Sequence, residues 1–152
     1  MDKLEPTYDP QTGRYGYKNQ DGTWVIPPQF DDVWDFQEER AKVQVDNRYG
    51  FIDLQGQWVV YPQLDDAWSF HEGLAAVQVG EHWGYIDPKG QWVVRPQFDG
   101  AWSFHEGRAV VKVGNHYGFI DSQGQWVVQP KFDYAWDFRE GRALVKVDKH
   151  YG

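Results

Sequence analysis

Four tryptophans, Trp34, Trp68, Trp102 and Trp136, recur every 34 residues in a segment rich in polar neighbours, each followed by a phenylalanine and then an acid at Glu38, Glu72, Glu106 and Glu140. Aromatic rings at fixed spacing stack on sugar faces or clasp an extended peptide, with nearby carboxylates for hydroxyl or basic contacts. These four are therefore the candidate ligand-binding residues. The competing reading makes them the seam between neighbouring repeats.

Other constellations carry less. Ser69 and His71, like Ser103 and His105, stand two apart and on one face if extended, which is the start of a nucleophile–base pair. The other two repeats put Asp35/Gln37 and Asp137/Arg139 there, and nothing suggests an oxyanion hole, so no catalytic residue is assigned. His82, His116 and His150 each close a turn before an aromatic–Gly step. Units about 10 Å apart cannot let such a column share one ion at about 2.1 Å, so packing against the adjacent ring is expected. Paired carboxylates such as Asp31-Asp32 lack the cleft that glycosidase chemistry needs. The Asp-x-x-Gly loops lack the further oxygens calcium takes. No metal, no cofactor and no enzymatic activity are expected.

The elements that position these residues are set by the period itself. Tyr15-Gly16 returns as Tyr49-Gly50, Trp83-Gly84, Tyr117-Gly118 and Tyr151-Gly152, and a fixed period of this length marks an array, solenoid or propeller. The divisions are a lead-in over 1–14, repeats over 15–48, 49–82, 83–116 and 117–150, and the start of a fifth at 151–152. Each repeat reads as an antiparallel meander of three strands, with a fourth short strand or packed loop near the second tryptophan. Ala41, Val43 and Val45 alternate with Lys42 and Gln44, as Ala143, Val145 and Val147 do with Leu144 and Lys146. Tight turns follow at Asp46-Asn47-Arg48 and Gly114-Asn115-His116. Asp53 to Gly56, Asp87 to Gly90 and Asp121 to Gly124 read as four-residue hairpin loops. Trp24, Trp58, Trp92 and Trp126 alternate with valines and are expected in the core, and Pro130 is expected to stop that strand. Glu39 replaces the glycine of the other repeats, which predicts a different turn or local strain there.

Nine each of Trp, Tyr and Phe supply most of the buried area that Leu and Ile would ordinarily provide. The hairpin turns argue against one coil of a parallel β-helix per repeat. Register stacking at about 4.8 Å would also set Asp31, Asp65, Asp99 and Asp133 against one another at roughly 0.9 kcal/mol per pair. The fold class is therefore all-β: tandem 34-residue antiparallel meanders packed face to face in an open curved array or solenoid, with a propeller-like closed ring as the alternative. Net charge is −8 without a basic stripe, so no nucleic acid is expected as a partner. The chain has no cysteine, no signal-peptide pattern and no apolar run near the ~20 residues of a membrane span. No membrane partner and a cytoplasmic location are the default expectations.

The run [Tyr/Trp]-Gly-[Tyr/Phe]-Ile-Asp, Gly-Gln-Trp-Val-Val, Pro-x-Phe-Asp-x-Ala and Glu-Gly-x-Ala-x-Val-x-Val resembles the WG repeat family, also called KWG repeats. The resemblance covers 15–152, and the first repeat departs most, with Lys18, Asn19, Val33 and Glu39 off pattern. It implies bacterial interaction modules, often attached to other domains, with no catalytic residues assigned to the repeat. The expected function is a non-enzymatic scaffold or binding module for a protein or peptide partner. Alternatives are a carbohydrate- or cell-wall-binding module using the Trp rows, and a structural spacer or engineered regular repeat. Self-association through the C-terminal edge is a further expectation.

Overall fold

Asp53, Asp87 and Asp121 each hold their hairpin loop with one carboxylate oxygen. Asp53 Oδ1 accepts the N–H of Gln55 at 3.0 Å and of Gln57 at 2.9 Å, and Gly56 donates to the Asp53 carbonyl at 3.0 Å. Gly56 supports this with a φ of +79°, open to glycine at no steric cost. Asn19 Oδ1 does the same for Asp21 and Thr23. The turns before the aromatic–Gly step hold only two residues: Asp46 and Asn47 both take positive φ, and Arg48, His82 and His116 already open the next strands. Asp31 and Asp99 fasten these turns, accepting from the N–H of Asp46 at 2.7 Å and of Gly114 at 2.6 Å.

The computed structural model describes residues 3–147 and 150–151, and among them every regular element is a strand. Two compact units result, Met1–Ser69 and Phe70–Gly152. In the first, β1 (Glu5–Asp9), β2 (Arg14–Lys18) and β3 (Trp24–Phe30) form one antiparallel sheet. β4 (Asp32–Val33), β5 (Ala41–Val45), β6 (Arg48–Ile52) and β7 (Trp58–Leu64) form the next, and β8 (Asp66–Ala67) follows. In the second unit, β9 (Ala75–Val79), β10 (His82–Ile86) and β11 (Trp92–Phe98) pair in order. The next sheet is β12 (Gly100–Ala101), β13 (Arg108–Val113), β14 (His116–Asp121) and β15 (Trp126–Phe132). The last is β16 (Tyr134–Ala135), β17 (Val145–Val147) and β18 (His150–Tyr151). The fourth short strand thus exists, and it joins the strands that follow it: Val33 pairs with Val43, Ala101 with Val111. The sheets therefore straddle the repeat divisions: β4 and β5 belong to 15–48 while β6 from Tyr49 onward and β7 belong to 49–82, and the first sheet joins the lead-in to the first repeat.

Two expectations are corrected here, and a third is resolved. Pro130 does not stop its strand, because β15 runs through it to Phe132. Between the pairs Tyr117↔Phe132 and Phe119↔Val128 the register shifts, and a bulge tolerates a residue without an N–H donor. The dipeptide glycines are what this bulge demands: a Cβ on Gly118 would lie 2.6 Å from the Val128 carbonyl oxygen, and one on Gly50 2.5 Å from that of Val60. Second, the strand expected from Ala143 begins only at Val145; among the described residues β18 pairs with Lys146 and Val147. Third, of the two outcomes expected at Glu39, a different turn or local strain, the second holds. Gln37 and Arg40 exchange the same bonds as Arg139 and Arg142, so the strain sits in Glu39 itself, held at φ +63°.

The meanders pack face to face within each unit. In the first, Tyr17, Ile26 and Phe30 of β2 and β3 meet Ala41, Val43 and Ile52 of β5 and β6. In the second, Tyr85, Val94 and Phe98 meet Ala109, Val111 and Ile120. On the other face of that sheet, Val110 and Phe119 meet Ala135. Alternation along β13 thus serves two cores at once, Ala109 and Val111 one way and Val110 the other. Between the loops of the second unit, the Glu72 carboxylate accepts from the N–H groups of Glu106 and Gly107 at 2.7 and 2.8 Å. Glu106 repeats the grip on Glu140 and Gly141. Like acids one period apart are separated by a donor pair rather than stacked on each other.

Candidate functional site

Each tryptophan of the second set follows a two-residue strand, and three of them donate a backbone N–H to the neighbouring segment: Trp34 to the Lys42 carbonyl, Trp102 to that of Val110, Trp136 to that of Leu144. The ring is then delivered beside the aromatic of the next Tyr-Gly step. Trp34 meets Tyr49 at 5.7 Å between centroids and Trp102 meets Tyr117 at 5.7 Å. Two buried phenols lock the frame from behind. Tyr17 donates to the Trp34 carbonyl at 2.7 Å and Tyr85 to that of Trp102 at 2.6 Å. Burial raises both phenol pKa values well above the ordinary range, the accepting carbonyls notwithstanding.

In the first unit this frame is filled from within. The Lys42 ammonium lies 4.3 Å from the Trp34 ring centroid and 5.3 Å from that of Tyr49, and it donates to the Ala67 carbonyl at 3.0 Å. Its pKa is lowered by burial, with Asp66 and Asp32 pulling the other way. A cation on two ring faces with one carbonyl acceptor is a complete ammonium site. Trp68, 44% exposed, belongs to this unit's end and is the most open of the four.

The second unit presents the same frame without the lysine. Trp102, Tyr117, Tyr134 and Trp136 line a cleft with a volume of about 100 Å³, open on one side, together with Ala135 and Asp137. Tyr117 and Tyr134 lie 4.8 Å apart at 43°, and Tyr134 and Trp136 4.5 Å apart at 53°. The rings are tilted into a box, not laid out as a flat platform. Burial, then the neighbouring Tyr134, raises the Tyr117 pKa. Asp137 also meets His105 Nε2 at 3.3 Å. The structure thus brings Trp102 and Trp136 to one cleft, while Trp34 is engaged by Lys42. Sequence reasoning missed Tyr117, Tyr134 and Lys42. Tyr134 carried a signal: its repeat equivalents are Asp32, Asp66 and Gly100.

The remaining candidates sort themselves. Trp92 and Trp126 are each 37% exposed, not core as expected, and each opens a strand; Trp126 meets Phe98 edge-on at 5.9 Å, as Trp58 meets Phe30 at 5.8 Å. His82 and His116 are exposed strand residues rather than ring-packed ones, and the His150 side chain lies outside the described residues. His71 and His105 stack at 4.5 Å, with His71 Nδ1 2.5 Å from the Phe104 carbonyl oxygen, so these histidines face backbone and each other, not a serine. Among the described residues no three His, Cys, Asp or Glu side chains gather to hold a metal, and no helix is long and apolar enough to cross a membrane.

No curated protein matches the sequence. A solved structure of KlHsv2 with loop 6CD replaced by a Gly-Ser linker is similar in fold, with a TM-score of 0.52 at 10% identity over 98% of this chain and 54% of that one. The chain thus spans about half the length of that structure. A plant albumin from Cicer arietinum showing hemagglutination aligns at a TM-score of 0.31 and 15% identity, over 79% of this chain and 78% of that one. The pattern of the WG containing repeat matches residues 15–49, 49–81, 83–115 and 117–151, and the chain belongs to that family.

Proposed function

We propose that this chain is a non-enzymatic binding scaffold whose stacked meanders offer aromatic clefts to a protein or peptide partner. WG repeats are not a known enzyme family, and such repeats are binding or structural modules. The observation that carries the reading is the cleft of Trp102, Tyr117, Tyr134 and Trp136, in which Tyr134 and Trp136 remain 40% and 38% exposed. Partly exposed aromatic anchors around a small pocket are what peptide recognition uses. A sugar-binding face would favour a flat ring platform, and the mutual tilts of 43° and 53° support a side-chain box instead. The test is a titration of tryptophan fluorescence against peptide and glycan panels. Saturable quenching by peptides is expected; a response to glycans alone would replace this reading with the carbohydrate one, and silence from both panels would leave a structural spacer.

A further inference from the structure

Resting on that reading, the geometry points to the chemistry of the partner: the cleft of the second unit receives a cationic lysine-type side chain. The warrant is inside the molecule. At the repeat-equivalent place in the first unit, Lys42 spans two ring faces and donates to the Ala67 carbonyl. Two repeats later, position 42 becomes Val110 and Ala67 becomes Ala135, so the ring frame and its carbonyl persist while the resident cation is gone. Tyr134 adds a ring where the first unit has Asp66, and Asp137 places a carboxylate at the lining. The cleft, about 100 Å³ and open on one side, has room for an ammonium with its terminal methylenes or for a methylated ammonium. Aromatic faces hold such cations strongly when water is excluded. Lys112 opposes the charge, its ammonium 5.8 Å from the Tyr117 centroid, but it stands outside the lining; the equivalent residue beside Lys42 is the neutral Gln44.

The experiment titrates the full chain with three blocked peptides of one sequence, bearing a central lysine, trimethyl-lysine or norleucine, and follows the indole N–H signals of Trp102 and Trp136 by NMR. Saturable shifts at both are expected with the two cationic peptides, and binding at least ~10-fold weaker with norleucine, matching the usual strength of a desolvated cation–π contact. Trp136→Ala should abolish the shift at Trp102, and Lys112→Gln should tighten binding about twofold to fivefold by removing a like charge. Val110→Lys should fill the cleft from within and block the peptides. Because Val110 is buried, Tyr134→Ala, at an exposed ring, gives the same loss without loading the core. Equal binding of norleucine, or no shift at either indole while other panel peptides bind, overturns the cation assignment and leaves the scaffold reading standing. Failure of every peptide in the wider panel overturns both.

Discussion

The two aromatic frames, one around Lys42 and one beside Val110, are built from the same residues in the same register. Trp34 and Trp102 stand equally far from Tyr49 and Tyr117, at 5.7 Å, and each is fixed through its carbonyl by a buried phenol. They differ at the strand position that faces the rings, Lys42 against Val110, and beside it, where Tyr134 stands in place of Asp66. A lysine there completes the frame with the chain's own charge, whereas a valine leaves room beside four aromatics. In a repeat protein the frame belongs to the period and the site belongs to the departures from it. The lining of such a frame can therefore change from repeat to repeat without disturbing the packing that every repeat needs.

The strongest way to break the comparison is to remove what both frames share. Gly50→Ala and Gly118→Ala put a methyl group against backbone that cannot rotate away, next to Val60 and Pro62 or Val128 and Pro130. Overpacking of this kind costs about 3 kcal/mol. Urea unfolding followed by tryptophan fluorescence should show a lowered midpoint for both variants. If the two units unfold separately, Gly50→Ala should lower only the transition of Met1–Ser69 and Gly118→Ala only that of Phe70–Gly152. Unmoved midpoints would sink the close-approach account of the Tyr-Gly step.

The phenol locks come next. Tyr85→Phe leaves the Trp102 carbonyl without its donor, a loss of about 1–3 kcal/mol, and Tyr17→Phe should cost the same or less. Their raised pKa values also set a pH dependence. Above the unfolded value of about 10, the folded state keeps phenol protons that the unfolded state releases, so stability is full below pH 10 and falls as pH rises. Wild type should lose stability steeply between pH 10 and 11.5, and the double variant should start lower but fall more shallowly. Parallel slopes would remove the buried phenols from the account.

Much of this was readable in the residues. The 34-residue period, the Asp-x-x-Gly loops and the place of the tight turns rest on local chemistry, and Asp121 or Gly124 behaves as its type and place dictate; that Arg48 and His116 already belong to strands was not readable. What was not readable rests on contacts far apart in sequence. Pro130 reads as a stop only until the bulge opposite Gly118 is known, and Trp126 reads as core only until its strand is seen to open at an edge. Lys42 looked like the polar face of a strand, because nothing local says that this face meets another sheet's rings. Glu39 was legible as a departure, and its φ of +63° makes the consequence measurable. Glu39→Gly should raise stability by about 1 kcal/mol by relieving left-handed strain, seen as a higher thermal midpoint; a drop would mean that the carboxylate does something the strain conceals.

The smallest effect on stability, and the most informative, belongs to Lys42 itself. Lys42→Val trades the cation–π contacts and the bond to the Ala67 carbonyl against the cost of burying a charge, and these offset to within about 1 kcal/mol. The lowered lysine pKa gives the trade a signature. Between its folded value and the unfolded one near 10.5, the native state binds fewer protons than the unfolded state, so this lysine makes stability rise with pH, against the phenols. Below that window its contribution is constant. Lys42→Val should therefore leave neutral-pH stability nearly unchanged while making the alkaline loss set in earlier. The same variant should convert the filled frame into an open one, giving the first unit a cation-sensitive response at the Trp34 indole that wild type lacks. A variant that shifts neither the alkaline limb nor that indole would show the ammonium to be resting on the rings rather than held by them.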